Sequence, residues 1–218
     1  MAACCAGSTP EGYDRVFSDR YASQLARQYR RHGLTAPAQK IVEYAVSKGI
    51  AGATVLEIGG GIGDIQLELL KHGAARTTNI KLSGSYESEA NRLIQQAGFE
   101  GQMQRILSID LATNPTVLTP FDIAILHRVV CCYPDYELLL TAAATHAQRM
   151  VVFSHPPHNW FTRFGTKLMN AGLGIVRSTY RAFSHDPKAM VAVLQRHGLV
   201  SEYRSAEGMW RIVGACRA

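Results

Sequence analysis

A short apolar run that carries one acid and ends in a cluster of glycines is the part of the sequence best suited to bind a ligand. Residues 53–58 form the run, with Glu57 near its end, and residues 64–72 then have the apolar spacing of a helix. Glycine permits positive φ and lets a ligand approach where a Cβ would collide. The pattern predicts a strand, a turn and a helix that hold a nucleotide at Gly59, Gly60, Gly61 and Gly63.

The spacing of the glycines distinguishes between the known nucleotide-binding motifs. A dinucleotide fingerprint needs glycine at the first, third and sixth loop positions, and counting from Gly59 the sixth residue is Asp64. A phosphate loop needs a Gly-Lys-Ser or Gly-Lys-Thr sequence, which does not follow here. What remains is an acid followed by alternate glycines, at Glu57, Gly59, Gly61 and Gly63.

Histidines are the candidate proton acceptors, because imidazole titrates near neutral pH. His127 and His155 are predicted to end neighbouring strands, which makes them the favoured catalytic pair, although a structural role stays open for each. His158 and His185 lie further along the chain. Two prolines separate His155 from His158 and argue against a shared metal site, so no metal is predicted.

The five cysteines comprise two adjacent pairs, Cys4-Cys5 and Cys131-Cys132, and the single Cys216. Neither pair has zinc-knuckle spacing and the number is odd, so we expect reduced thiols and a cytoplasmic location. For Cys131 and Cys132 we favour packing over a nucleophilic role, which would need a neighbour that stabilises a thiolate.

The elements that must position these groups alternate along the chain. Two helices are predicted before the first strand, and strand and helix patterns then alternate, which indicates a mainly parallel sheet covered on both faces. The last two strands have only a short turn between them and are expected to pair antiparallel. The predicted strands are 53–58, 76–82, 103–109, 121–126, 149–154, 199–204 and 209–216.

We expect one domain over residues 1–218, with a helical cap at 1–50. Residues 156–184 interrupt the alternation and are rich in aromatic side chains. Because they follow the carboxyl end of a strand, we interpret them as a lid over the substrate. An additional packing helix is the alternative.

The composition is that of a globular protein, with 47% hydrophobic and 18% charged residues. No apolar stretch is long enough to span a bilayer, so no membrane partner is expected. The formal net charge is +6, and arginines gather near the N-terminus. We interpret these arginines as a solvated helix face rather than an anion site. They are Arg15, Arg20, Arg27, Arg30 and Arg31.

The acid-x-Gly-x-Gly-x-Gly pattern resembles the first motif of class I S-adenosylmethionine (SAM)-dependent methyltransferases. Residues 55–70, 82–86 and 127–135 resemble a bacterial group of small-molecule methyltransferases, and the resemblance covers most of the chain. It implies an α/β fold with a Rossmann-like, seven-stranded, mostly parallel sheet, helices on both faces and a C-terminal antiparallel pair. It also implies SAM as the cofactor and methyl transfer to a small, aromatic or natural-product-like acceptor.

The resemblance assigns roles residue by residue. Glu57 and the glycine-loop amides would hold the methionyl end of SAM, Asp110 would bond the adenine amino group, and His127 and Arg128 would line the floor beneath the sulfonium. Lys81 and Leu82 complete the expected cofactor contacts. The expected substrate contacts are Tyr133, His158, Trp160, Tyr180 and His185.

Lys81 departs from the family pattern, which has an acid there to accept both ribose hydroxyls. Lysine donates hydrogen bonds and accepts none. Three explanations stay open: Lys81 points to solvent while Asn79 or a neighbour holds the ribose, the cofactor is a variant with an anionic group, or the site no longer uses SAM. The alternative function is therefore a methyltransferase-like protein that binds another ligand or catalyses another reaction.

The motifs of the sequence argue against a nucleic-acid acceptor. Adenine-modifying members of the fold resemble one another in an Asp/Asn-Pro-Pro-aromatic motif after the fourth strand, where this chain has His127-Arg128-Val129-Val130. The sequence makes no prediction of the oligomeric state.

Overall fold

The computed structural model describes residue 13 and residues 16–218, so Cys4, Cys5 and Arg15 lie outside the described residues. Within them, seven strands form one sheet in the order β3-β2-β1-β4-β5-β7-β6. The first five strands are parallel, and β7 inserts antiparallel between β5 and β6. The strands are β1 (Thr54–Ile58), β2 (Arg76–Lys81), β3 (Met103–Leu107), β4 (Phe121–Leu126), β5 (Ala147–His155), β6 (Leu199–Glu207) and β7 (Trp210–Arg217).

Helices cover both faces of this sheet, as the alternation predicted. Alternate residues of β4 enter different cores: Ile123 packs with Ile41 on one face, and Leu126 packs with Leu140 on the other. A central strand buried on both faces carries apolar side chains toward both cores, which is why residues 123–126 of β4 are all apolar. The helices are α1 (Asp19–His32), α2 (Ala36–Ser47), α3 (Asp64–Lys71), α4 (Glu87–Ala97), α5 (Tyr136–His146), α6 (Trp160–Ile175) and α7 (Pro187–Arg196).

The segment after β5 contains one helix, α6, followed by an extended stretch that leads to α7. No residue of α6 is buried. The helix is attached by Asn170, whose amide exchanges two hydrogen bonds with the backbone of Ala182, and by Leu173, which packs beside Tyr180. Among the described helices, none has both the length and the apolar character needed to cross a bilayer.

Gly214 of β7 lets α2 approach the sheet. A Cβ at Gly214 would lie 2.2 Å from Cε1 of Tyr44, whose ring stacks on Tyr203 at 4.2 Å. We expect Gly214→Ala to lower the free energy of unfolding by about 1–3 kcal/mol, because the ring must leave its packed position. Thermal unfolding and urea titration measure the loss.

Gly172→Ala is the matched control, because nothing lies within 4 Å of a Cβ at this position in α6. It should leave stability unchanged or raise it by about 0.5–1 kcal/mol, since alanine is the better helix former. Equal losses in both variants would contradict the role given to the α2–β7 contact.

Candidate active site

A cavity opens at the carboxyl ends of the first four strands. The strand order reverses between β1 and β4, and such a switch point is where open α/β sheets bind ligands. The cavity is lined by residues that follow each of these strands, among them Gly59 after β1, Leu82 after β2, Asp110 after β3 and His127 after β4. Most of the predicted cofactor contacts therefore meet at one place.

The glycine loop shapes one wall of the cavity through close approach. A Cβ on Gly60 would lie 2.2 Å from Oε2 of Glu57, and one on Gly59 would lie 2.7 Å from Cγ2 of Val129. Gly61 also lines the cavity, with a φ of +41°. Gly63 does not line it: its φ of +81° starts α3, and a Cβ there would collide with Met103.

The glycine amides are already engaged within the protein. Gly59 donates to the carbonyl of Ile80 at 2.8 Å, Gly61 to Gly59 at 2.8 Å and Gly63 to Gly60 at 2.7 Å. Gly60 donates to Oδ1 of Asn79 at 3.3 Å. The turn thus uses these four amides itself, and the role of the glycine loop at the methionyl end of SAM stays a prediction.

Glu57 presents a buried carboxyl group to the cavity. Its side chain is 2% exposed, and its Oε2 has no hydrogen-bond partner among the described residues. Burial raises the pKa of Glu57 to about 8; the charge of Asp64 adds to the shift, and that of Arg105 opposes it. A buried carboxyl oxygen without a partner is a strong acceptor for a ligand's donor group.

Lys81 is buried and ion-paired, which corrects the first of the three explanations, that it points to solvent. Its Nζ lies 2.7 Å from Oε1 of Glu87, donates to the carbonyl of Ser85 and sits 5.5 Å from the ring centre of Tyr86. Asn79 does not replace it at the cavity, since Asn79 lies beneath the glycine loop and is not among the lining residues.

Arg105 completes a cluster of three charges with Lys81 and Glu87. Its Nε and Nη2 donate to the Glu87 carboxylate at 2.8–3.1 Å, and Nη2 also donates to the carbonyl of Gly61 at 2.7 Å. Burial acts to raise the pKa of Glu87, but the hydrogen bonds and charges of Arg105 and Lys81 outweigh it and hold that pKa below its usual range. The cluster joins β2, β3, the glycine loop and the start of α4.

This cluster also explains an error in the predicted helix boundaries. The sequence predicts that the helix after the second strand begins at Ser83, whereas α4 begins at Glu87. Lys81 holds the carbonyl of Ser85, and Tyr86 adopts a φ of +78°. The chain therefore turns along the cavity wall, where Ser83 and Tyr86 are lining residues, before the helix starts.

Asp110 lies on the cavity wall with Tyr133 as its partner. The Tyr133 hydroxyl donates to Oδ2 of Asp110 at 2.8 Å, and the amide of Ala112 donates to Oδ1 at 3.0 Å. Burial raises the pKa of Tyr133, and the hydrogen bond to Asp110 adds to the shift, so the phenol stays protonated as a donor. Tyr133, predicted to contact substrate, thus orients the predicted adenine acceptor.

His127 lies in the cavity wall, in surroundings that disfavour a general base. Its Nδ1 is 2.9 Å from Oγ of Ser154, and that oxygen also accepts from the amide of Arg128 at 2.9 Å. This hydrogen bond holds the imidazole ring through its Nδ1. Burial, helped by the charge of Arg128, lowers the pKa of His127 to about 3, so the ring is neutral at pH 7.

Arg128 adopts a φ of +61°, which is uncommon outside glycine, and lines the cavity with its guanidinium 5.1 Å from the ring centre of Trp210. Its Nε is buried with no hydrogen-bond partner among the described residues. The predicted floor of the cavity is therefore formed by the neutral imidazole of His127 and the guanidinium cation of Arg128.

The other predicted residues lie outside the cavity lining. His155 is buried and its Nδ1 donates to the carbonyl of Pro156, while burial lowers its pKa. His158 donates to the carbonyl of His185, and His185 donates to that of Tyr133. These hydrogen bonds connect segments outside the cavity. The predicted catalytic pair is therefore not brought together in the cavity, which His127 lines and His155 does not.

Tyr180 is one layer behind the cavity, with its hydroxyl 3.0 Å from Sγ of Cys132. Trp160 is 67% exposed and stacks on Phe161. The aromatic side chains of α6 thus face away from the cavity, because the helix is attached through its opposite side at Asn170 and Leu173.

The N-terminal helical segment supplies the aromatic wall instead. Tyr13, Phe17, Tyr21 and Leu25 line the cavity, and the hydroxyl of Tyr13 donates to the carbonyl of Cys132 at 2.7 Å. The helical recurrence of apolar residues in this segment was visible in the sequence, but nothing in it distinguished a cavity wall from a core. Among the described residues, no group of three His, Cys, Asp or Glu side chains could hold a metal ion.

Comparison with solved structures identifies the architecture. Magnesium protoporphyrin IX methyltransferase from Synechocystis, solved with S-adenosylhomocysteine, superposes with a TM-score of 0.69 at 19% identity over 95% of this chain and 94% of that one. The chain has the class I methyltransferase fold. No protein-family model matches the sequence, and no curated protein matches it.

Other structures with the class I methyltransferase fold differ in the acceptor. An O-methyltransferase family 2 protein from Planctomyces limnophilus, solved with apigenin, gives a TM-score of 0.65 at 14% identity over 92% of this chain and 62% of that one. A proposed RNA methyltransferase from Pyrococcus horikoshii gives 0.59 at 16% identity over 84% of each chain. At these identities the likeness concerns the fold.

The buried charge cluster yields a stability prediction. Glu87→Gln leaves Lys81 and Arg105 close together without the carboxylate, so we expect the free energy of unfolding to fall by about 3–5 kcal/mol in urea titrations. Glu137→Gln is the control, because Glu137 pairs with Arg196 at the exposed surface and should change stability by less than about 1 kcal/mol. Similar changes in the two variants would contradict the role of the cluster.

Proposed function

We propose that this protein transfers a methyl group from SAM to a small acceptor of aromatic or natural-product type. The observation that carries the proposal is the meeting of Glu57, the glycine loop and Asp110 around one cavity at the sheet's switch point. The class I methyltransferase fold agrees with it, as does the co-crystallisation of a structural neighbour with S-adenosylhomocysteine.

The residues present fit the methionyl and adenine ends of SAM. Glu57 has a buried carboxyl oxygen without a partner among the described residues, which suits the ammonium of the methionyl group. Asp110, held by Tyr133, offers lone pairs to the adenine amino group. When bound, SAM supplies a methyl group on a sulfonium that is already activated for in-line displacement. The protein's task is therefore mainly to position the two reactants.

Lys81 fits this proposal because its charge is neutralised inside the protein. Glu87 lies 2.7 Å from its Nζ, so Lys81 does not present an isolated cation to a cationic ligand. Lys81 does not provide the carboxylate that would accept from two ribose hydroxyls. In this proposal the ribose is held by groups that donate, and SAM binds more weakly than with an acid at that position.

The acceptor is proposed to stack against the wall made by Tyr13, Phe17 and Tyr21, because aromatic side chains favour an aromatic or apolar partner. His127 lines the cavity as a neutral ring, and its lowered pKa makes it a weak base. Such a site suits an acceptor that loses its proton to water or reacts through a lone pair already available.

Calorimetry with SAM and with S-adenosylhomocysteine tests the cofactor. We expect both to bind, and Glu57→Gln to weaken SAM at least tenfold, because the neutral amide cannot pair with the ammonium. Glu43→Gln, at an exposed position outside the cavity, should bind like the wild type. Absence of heat and of a thermal shift at millimolar SAM would sink the proposal and favour the alternative of another ligand.

The raised pKa of Glu57 gives the binding a defined pH dependence. Below pH 8 the free protein carries a protonated Glu57, and pairing with an ammonium requires that this proton leave. The affinity for SAM should therefore rise between pH 6 and pH 7.5, approaching tenfold per pH unit. Glu57→Gln should show a flat profile over this range. A flat wild-type profile would show that Glu57 is not the partner of the ammonium.

A further inference from the structure

Helix α6 presents an apolar stripe to the outside of the protein. Phe161, Phe164, Leu168 and Ile175 recur at intervals of three, four and seven residues, which places them on one side of the helix. Their exposure ranges from 63% to 83%, and Trp160 stacks on Phe161 at the N-terminal end. Single exposed apolar residues are ordinary, but a continuous stripe of this kind marks an interaction surface.

The attachment of α6 fixes the stripe in this outward position. The Asn170 amide exchanges hydrogen bonds of 2.8 and 2.9 Å with the backbone of Ala182, and Leu173 packs against the cluster of Cys132, Tyr180 and Ala182. These contacts use the opposite side of the helix. Rotating the stripe inward would break both hydrogen bonds and expose Leu173.

The charge of the region indicates which kind of surface would bind the stripe. Residues 138–185 contain no Asp or Glu, whereas Arg163, Lys167 and Arg177 are exposed along α6 and just beyond it. In the described part of the chain, none of the three forms an ion pair. An apolar stripe whose only charged neighbours along the helix are cations is complementary to a surface that is apolar inside and anionic at its boundary.

We propose that α6 is an interfacial helix that binds the surface of an anionic lipid bilayer. Such helices lie in the plane of the membrane, with the apolar side chains below the headgroups and the basic side chains among them. The 16 residues of α6 are too few to cross a bilayer but enough to lie along it. A second copy of the chain is a poor alternative, because pairing the two stripes would bring the cations of both copies together.

The same helix adjoins the wall of the active-site cavity. Leu173 packs in a cluster to which Tyr13 and Phe17 also belong, and both of these aromatic residues line the cavity. A bilayer on the outer side of α6 would therefore be separated from the cavity by the helix and the side chains of this cluster. The proposal about α6 concerns the surface alone and stands whether or not the cavity holds SAM.

Vesicle flotation with the full chain tests the proposal. Vesicles of neutral phosphatidylcholine are compared with vesicles in which about one third of the lipid is phosphatidylglycerol. We expect binding to the anionic vesicles and at least tenfold weaker binding to the neutral ones. The double variant Phe164→Gln, Leu168→Gln should lose at least tenfold in partitioning, because two large apolar side chains no longer enter the bilayer. Arg163→Gln with Lys167→Gln should lose roughly fivefold for each basic side chain.

Matched substitutions elsewhere provide the controls. Val117→Gln with Met209→Gln alters two exposed apolar residues, and Lys188→Gln with Arg204→Gln alters two exposed cations, all outside α6. Both controls should float like the wild type, and circular dichroism confirms that every variant is folded. Failure of the wild type to float, or equal losses in the control variants, would overturn the proposal. So would a wild-type dimer that the Phe164→Gln, Leu168→Gln variant converts to a monomer.

Discussion

One carboxylate shared by two buried cations holds the candidate site together. Glu87 binds Arg105 through three hydrogen bonds and Lys81 through an ion pair, and the two cations in turn hold the carbonyls of Gly61 and Ser85. Removing two cations and an anion from water is unfavourable unless each finds its partners. Because these partners come from four segments of the chain, satisfying the charges also sets the positions of the glycine loop and the cavity wall.

The polar groups that line the cavity beside this cluster differ in charge at neutral pH. Burial keeps Glu57 protonated at neutral pH until a cation can stabilise its charged form. His127 is neutral, so it adds no charge where a sulfonium would lie. Arg128 is the fixed cation of the floor, and the ring of Trp210 lies beside it. Glu57 and His127 are common residue types, and burial rather than residue type sets the protonation state of each.

The N-terminal helical segment and helix α6 have different roles. The N-terminal segment covers the cavity with Tyr13, Phe17 and Tyr21, whereas α6 turns its aromatic side chains outward. Composition alone favoured the opposite assignment, because aromatic residues after a strand's carboxyl end commonly face a substrate. Two hydrogen bonds from Asn170 and the packing of Leu173 decide the orientation of α6, and neither contact can be inferred from the spacing of its apolar residues.

The sequence by itself determined the sheet, the helices on both of its faces and the glycine loop, because these depend on local patterns of apolar residues and on backbone freedom at particular glycines. It also brought Glu57, Asp110 and His127 to one edge, since parallel strands end on the same side. Tertiary structure alone decided the protonation and partners of those residues. The low pKa of His127 arises from burial, and the bond between Tyr133 and Asp110 joins two separate loops. Lys81 meets Glu87 because the chain turns between them before α4 begins, which the spacing of apolar residues does not record.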